Sequence, residues 1–169
     1  MNDSKQLTIL KLLTTQIELV NPDNGYDFDL RSKVFRGRMV FGDDTAPPFV
    51  SILESPRPVP ATDIGDPKIV RQNDWQLLVQ GWATDDKEHP LDAAYGLKAS
   101  VEQVLSQLAQ VDGNGRAAYP GSYLLGRRAI SLTIGPGVCR PPTEATSLGF
   151  FFLPLTVVYS EDLRLPFEP

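Results

Sequence analysis

Trp75-Gln76-Leu77-Leu78-Val79-Gln80-Gly81-Trp82-Ala83 is the stretch on which the fold turns. Gln76 and Gln80 share one face at period two, and Trp75, Leu77 and Val79 share the other. This stretch reads as a strand that packs one face against a core. Upstream, Phe49 to Glu54 carries Phe49 and Leu53 on one side and Val50 and Ile52 on the other, which predicts a central strand covered on both sides. Before it, Val34 to Phe41 alternates Phe35, Met39 and Phe41 against Arg36 and Arg38, a further strand with the two arginines on one face.

Two segments have helical spacing instead. From Ser4 to Val20, Leu7, Leu10, Leu13, Ile17 and Val20 line one side and Thr8, Lys11, Thr15 and Glu18 the other. Asp3 is placed to cap this helix, with Gln6 three residues on, and Asn21-Pro22 ends it. A second helix opens near Pro90 and runs to about Gln110, burying Leu97, Val101, Val104, Leu105 and Leu108 and exposing Lys98, Glu102 and Ser106.

Two strands complete the chain. Arg128 to Ile134 points Ile130, Leu132 and Ile134 inward. Phe150 to Tyr159 aligns Phe151, Leu153, Leu155, Val157 and Tyr159. Pro154 has no N–H for a ladder, so this strand, or that side of it, is expected at a sheet edge. The order is helix, three strands, helix, two strands. The simplest burial of two amphipathic helices is an α+β fold, a mostly antiparallel sheet of about five strands with both helices on one face. The 169 residues make one domain, with long loops at about 54–74 and 111–127.

Composition narrows the function classes. A formal net charge of −5 argues against sequence-independent phosphate gripping, which needs a clustered basic surface. The single Cys139 cannot form an internal disulfide, no apolar run of membrane length occurs in these residues, and no signal peptide is expected from the polar breaks at Gln6, Lys11, Thr14, Thr15 and Gln16. The expected setting is a cytoplasm, with no membrane partner.

No catalytic, cofactor or metal site is expected. His89 lies in a polar turn and, with Cys139 fifty residues away, makes no zinc spacing. Cys139 itself reads as a small, partly buried hydrophobe. Gly113-Asn-Gly115-Arg-Ala-Ala118 imitates a dinucleotide fingerprint but follows a helix and leads into loop, the wrong context for holding phosphate. Asp85, Asp86 and Glu88 read as a solvated acidic turn. What stands out instead is binding surface. Tyr119, Tyr123, Leu124 and Leu125 are apolar for a connector, the first three being candidate interface residues, and the Arg36/Arg38 and Arg127/Arg128 pairs are candidates for partner-facing ion pairs.

Several short runs then fall into a pattern: Tyr26-Asp27-Phe28-Asp29-Leu30, Val34-Phe35-Arg36-Gly37-Arg38, Phe41-Gly42-Asp43-Asp44, Ser51-Ile52-Leu53-Glu54 before a proline-rich loop, Leu77-Leu78-Val79-Gln80-Gly81-Trp82, and Asp92-Ala93-Ala94-Tyr95. In order and spacing this resembles the tail-terminator (tail-completion) proteins of long-tailed bacteriophages. The likeness covers about residues 5–110; beyond that it rests on element order. The resemblance implies a homohexameric ring that caps the tail tube protein, stops its polymerisation and joins the tail to a head-completion or neck protein. It also implies a virion location, and DNA passing through an acidic lumen without specific binding. Another neck protein, an adaptor or stopper, is the nearest alternative. A tail-tube subunit would need a larger sheet, and a small-ligand-binding domain or an enzyme is the alternative from another class.

Overall fold

A computed structural model describes residues 2–55, 69–83, 86–144 and 146–167. The fold is α+β, with three helices and a mixed six-stranded sheet among the described residues. In chain order the elements are α1 (Lys5–Ile17), a 3-10 turn (Pro22–Asn24), β1 (Val34–Arg36), β2 (Phe49–Glu54), β3 (Val70–Trp82), α2 (Asp92–Ser106), a short turn α3 (Leu124–Arg127), β4 (Ser131–Ile134), β5 (Val138–Arg140) and β6 (Phe150–Asp162). The sheet order is β1-β2-β3-β6-β4, with β5 also on β6. All pairs are antiparallel except β1–β2.

Period-two alternation decides what each face of the sheet carries. Val50, Gly81 and Phe151 lie in register, as do Ile52, Val79 and Leu153, and then Leu77 and Leu155. These inner-face side chains join Ile9, Leu13 and Ile17 of α1 and Leu97, Val101, Val104, Leu105 and Leu108 of α2 in one buried cluster. Both helices therefore cover the same face. The buried line of α1 is rotated from its expected position: Ile9, Leu13, Gln16 and Ile17 face in, and Leu7 faces out. Its N-cap is Ser4, which accepts from the Leu7 N–H at 3.2 Å, while Asp3 pairs with Lys11 at 2.6 Å. Gln16 inside this layer donates its amide to the Val104 carbonyl at 2.5 Å, tying α1 to α2.

Four sequence expectations need correction. The first strand ends at Arg36, because Gly37 takes φ +72° and turns the chain out of the ladder. The loop expected over 54–74 is shorter on its far side, since β3 begins at Val70 and pairs through to Asp162; residues 56–68 lie outside the described residues. Ile130 is exposed rather than inward, because its N–H and the β4 ladder both converge on Val158 and shift the alternation there. Finally, β6 is a central strand, and β5, which the sequence does not announce, pairs with its first residues.

Pro154 shows how a proline survives in that position. β5 covers Phe150 to Phe152 and β4 covers Leu155 to Val158, so Pro154 falls at the gap between them. Its carbonyl accepts from the Gly135 N–H at 2.8 Å. A strand residue's N and C=O point the same way, so the missing donor faces this interrupted side and costs no bond to β3.

Candidate interaction surfaces

The connection from β1 to the parallel β2 must return the chain to the starting end of the sheet, and it does so across the face opposite the helices. It carries Phe41 onto that face. Phe41 stacks on Phe49 with centroids 4.2 Å apart and lies 4.9 Å from Trp82, and Phe35 meets its edge at 5.4 Å. Phe49, Trp82 and Phe150 are buried in this second, smaller cluster, against which Phe152 and Leu148 pack. Next to it the outer face opens into a depression of about 750 Å³ lined by Met39, Leu53, Gln76, Leu78, Pro154 and Thr156. Met39, which lines it, stands 73% exposed. Among the described residues no helix lies over this face.

Arg36 and Arg38, expected on one strand face, are separated. Arg36 projects to the helix side, where its guanidinium donates to the Thr14 hydroxyl at 3.0 Å. Arg38 lies on the outer face, 4.8 Å over the Phe35 ring and 4.6 Å over the Phe41 ring, with Asp44 at 3.4 Å. It covers aromatic surface as well as carrying charge.

The expected loop over 111–127 is built from short turns. The Asp112 carboxylate accepts from the Asn114 and Arg116 N–H groups at 2.8 and 2.9 Å, which folds the Gly113–Ala118 motif into a tight turn. Leu124, Leu125, Gly126 and Arg127 have φ of 48°, 57°, 66° and 65°, so α3 is one left-handed turn. For a non-glycine residue this costs roughly 1–2 kcal/mol. The offset is visible: the Leu125 side chain is fully buried, the Leu124 N–H donates to the Leu108 carbonyl at 2.7 Å, and Ala129 donates back to Leu124 at 3.1 Å. The turn thereby pins the start of β4 to the end of α2.

The three residues proposed from this loop divide accordingly. Leu124 packs against the main core and Tyr123 is half-buried, whereas Tyr119 is 43% exposed. The Tyr26 phenol is pushed above its ordinary value, first by burial and then by the Tyr119 phenol. Tyr26 and Tyr119 are thus coupled electrostatically. Arg38 forms a separate surface with Met39 and the aromatic cluster. The alternation of Phe35, Met39 and Phe41 was the sequence signal for the latter; nothing local announces the former.

The titratable residues weighed earlier are dispersed. His89 is exposed, and its backbone N–H donates to the Asp86 carboxylate at 3.0 Å. Asp86 is held below the ordinary carboxylate range by the N–H groups of His89 and Glu88; Asp85 lies outside the described residues. Burial pushes the Cys139 thiol up, which opposes thiolate chemistry. Among the described residues no three His, Cys, Asp or Glu side chains gather in a metal-holding group, and no helix is long and apolar enough to cross a membrane. Neither a family model nor a curated protein matches this chain.

Proposed function

We propose that this chain is the tail terminator of a long-tailed bacteriophage, a structural subunit that forms a hexameric ring on the end of the tail tube and joins it to the neck. The observation that carries the reading is the one-sided construction of the sheet. Both helices cover the inner face, while the outer face presents Met39, Leu78 and Pro154 around a wide depression beside an aromatic cluster. A subunit of a ring or tube has neighbours to cover such a surface, and a contiguous exposed apolar patch marks a contact site. The resemblance of the runs at 26–54 and 75–95 supports the same assignment.

In this reading the fold is a rigid support. The sheet and helices fix the aromatic face and the Tyr119 turn, and tube and neck proteins dock on them. DNA crosses the lumen unbound, repelled by an acidic ring. Electron microscopy of particles made with this gene deleted tests the assignment. Tails of uncontrolled length, unattached to filled heads, are expected. Normal tails, or a neck reconstruction that places the chain outside the head–tail joint, would overturn it. Saturable binding of a small metabolite in the outer-face depression would favour a ligand-binding domain instead.

A further inference from the structure

Two apolar surfaces of this chain lie open at different places. The first is at the end of the sheet where β3 begins and β6 finishes. Ile69, Val70, Leu163, Leu165 and Phe167 are all exposed there, Leu165 and Phe167 by 75% and 61%. They are neighbours. Val70 pairs with Asp162, and the Leu163 N–H donates to the Ile69 carbonyl at 2.8 Å. Val70, Leu165 and Phe167 line one cleft of about 770 Å³. Single exposed apolar side chains are ordinary, whereas five together mark a contact surface.

Three of the five come from the segment after β6, which is lightly attached. The Leu165 N–H closes a turn on the Asp162 carbonyl at 2.9 Å, and the Lys5 N–H reaches the Pro166 carbonyl at 3.3 Å, beside a bridge of Ser4 with Phe167. The second open surface is the depression on the outer face. Among the described residues that line it, Glu54 is the only charged one; Met39, Leu78 and Pro154 supply apolar wall, and the thioether of Met39 is adaptable.

These surfaces cannot meet within one chain. Pro154 lies eight residues before Asp162 on β6, about 26 Å away at ~3.3 Å per residue. Phe167 lies five residues past Asp162, a span of at most about 18 Å. We infer that Leu165 and Phe167 of one copy seat in the outer-face depression of the next copy. Each copy supplies one projection and one groove, so a head-to-tail repeat covers both surfaces on every copy. Such a contact is heterologous and closes into a ring where the rotation allows; the inference rests on the proposed function only for that closure. Burial of apolar surface drives it, since Arg164, the one charge of residues 163–167, is already held by Asp162 at 2.7 Å.

Sedimentation of the full chain tests this with two variants, Leu165→Ser/Phe167→Ser in the projection and Met39→Glu/Gln76→Glu in the groove. Each should associate at least about tenfold more weakly than the parent, with unchanged circular dichroism. An equimolar mixture of the two should give dimers and nothing larger, because it offers one intact projection to one intact groove. In a Cys139→Ser background, chains carrying Phe167→Cys and chains carrying Met39→Cys should form a mixed disulfide when oxidised together with copper–phenanthroline. Association of the parent should persist at high salt. A parent that stays monomeric at every concentration, variants that associate normally, a mixture that remains monomeric, or association abolished by salt would overturn the inference. So would exclusive coupling of Phe167→Cys chains to each other, which marks a twofold contact. A groove variant that self-associates normally yet loses the tail tube protein would give the groove to the tube, sinking this contact and leaving the proposed function standing. Association through this contact by a protein missing from the neck would do the reverse.

Discussion

Arg36 and Arg38 are two residues apart and leave the chain on opposite sides of the sheet: Arg36 bonds the Thr14 hydroxyl at 3.0 Å beneath it, and Arg38 stacks 4.6 Å over Phe41 above it. In a continuous strand they would share a face. Gly37, at φ +72°, breaks the alternation between them.

Gly37→Ala should therefore destabilise the fold through backbone conformation alone, since nothing lies within 4 Å of the added methyl. A cost of about 1 kcal/mol is expected in urea unfolding. A neutral result would mean that the chain reaches the outer face without a left-handed residue.

Gly81 is a packing requirement. A methyl at this position would run into the Phe151 ring, which is fully buried across the β3–β6 ladder. Gly81→Ala should cost roughly 1–3 kcal/mol. Combined with Phe151→Leu, it should cost less than the sum of the two single changes. A double-mutant cycle measures that coupling, and simple additivity would contradict direct contact.

The loop tyrosines and leucines should separate function from stability. Leu125→Ala empties a fully buried site and is expected to cost about 2–5 kcal/mol in thermal or urea unfolding. Leu124 also packs on the core, so polar substitution there reports on folding as well as docking. Tyr119→Ala, at an exposed site, should change stability by no more than about 0.5 kcal/mol. If the proposed function holds, it should still reduce the joining of tails to heads in a complementation assay; normal phage yield would remove Tyr119 from the interface.

Asp29 gives a pH prediction. The Arg31 side chain and backbone N–H, with the bidentate contact at 2.6 and 2.9 Å, hold its carboxyl down at about 2. The depressed value means that its contribution to stability is present above the unfolded carboxylate range and is lost as pH falls through about 2. Carboxyl NMR titration should place its midpoint there, and Arg31→Ala should raise it toward an ordinary aspartate. An unmoved midpoint would deny the pair in solution.

The sequence by itself determined what short periodicities encode. β2, the inward set of β3, the apolar line of α2 and the inner face of β6 from Phe151 to Tyr159 all lie where period two or helical spacing puts them. These are local patterns, and burial of one face fixes their phase. The helices' shared face of the sheet followed from the need to bury two apolar stripes. Only the tertiary structure decided the rest. Pro154 reads as an edge signal, yet it sits in a central strand because its neighbours on one side are interrupted at that residue. Arg36 and Arg38 read as one charged face until a single left-handed glycine separates them. The burial of Leu125, the pairing of β5 and the electrostatic coupling of Tyr26 to Tyr119 each join residues far apart in sequence. No local spacing records such contacts, because they are set by loop closure and by which strand reaches β6.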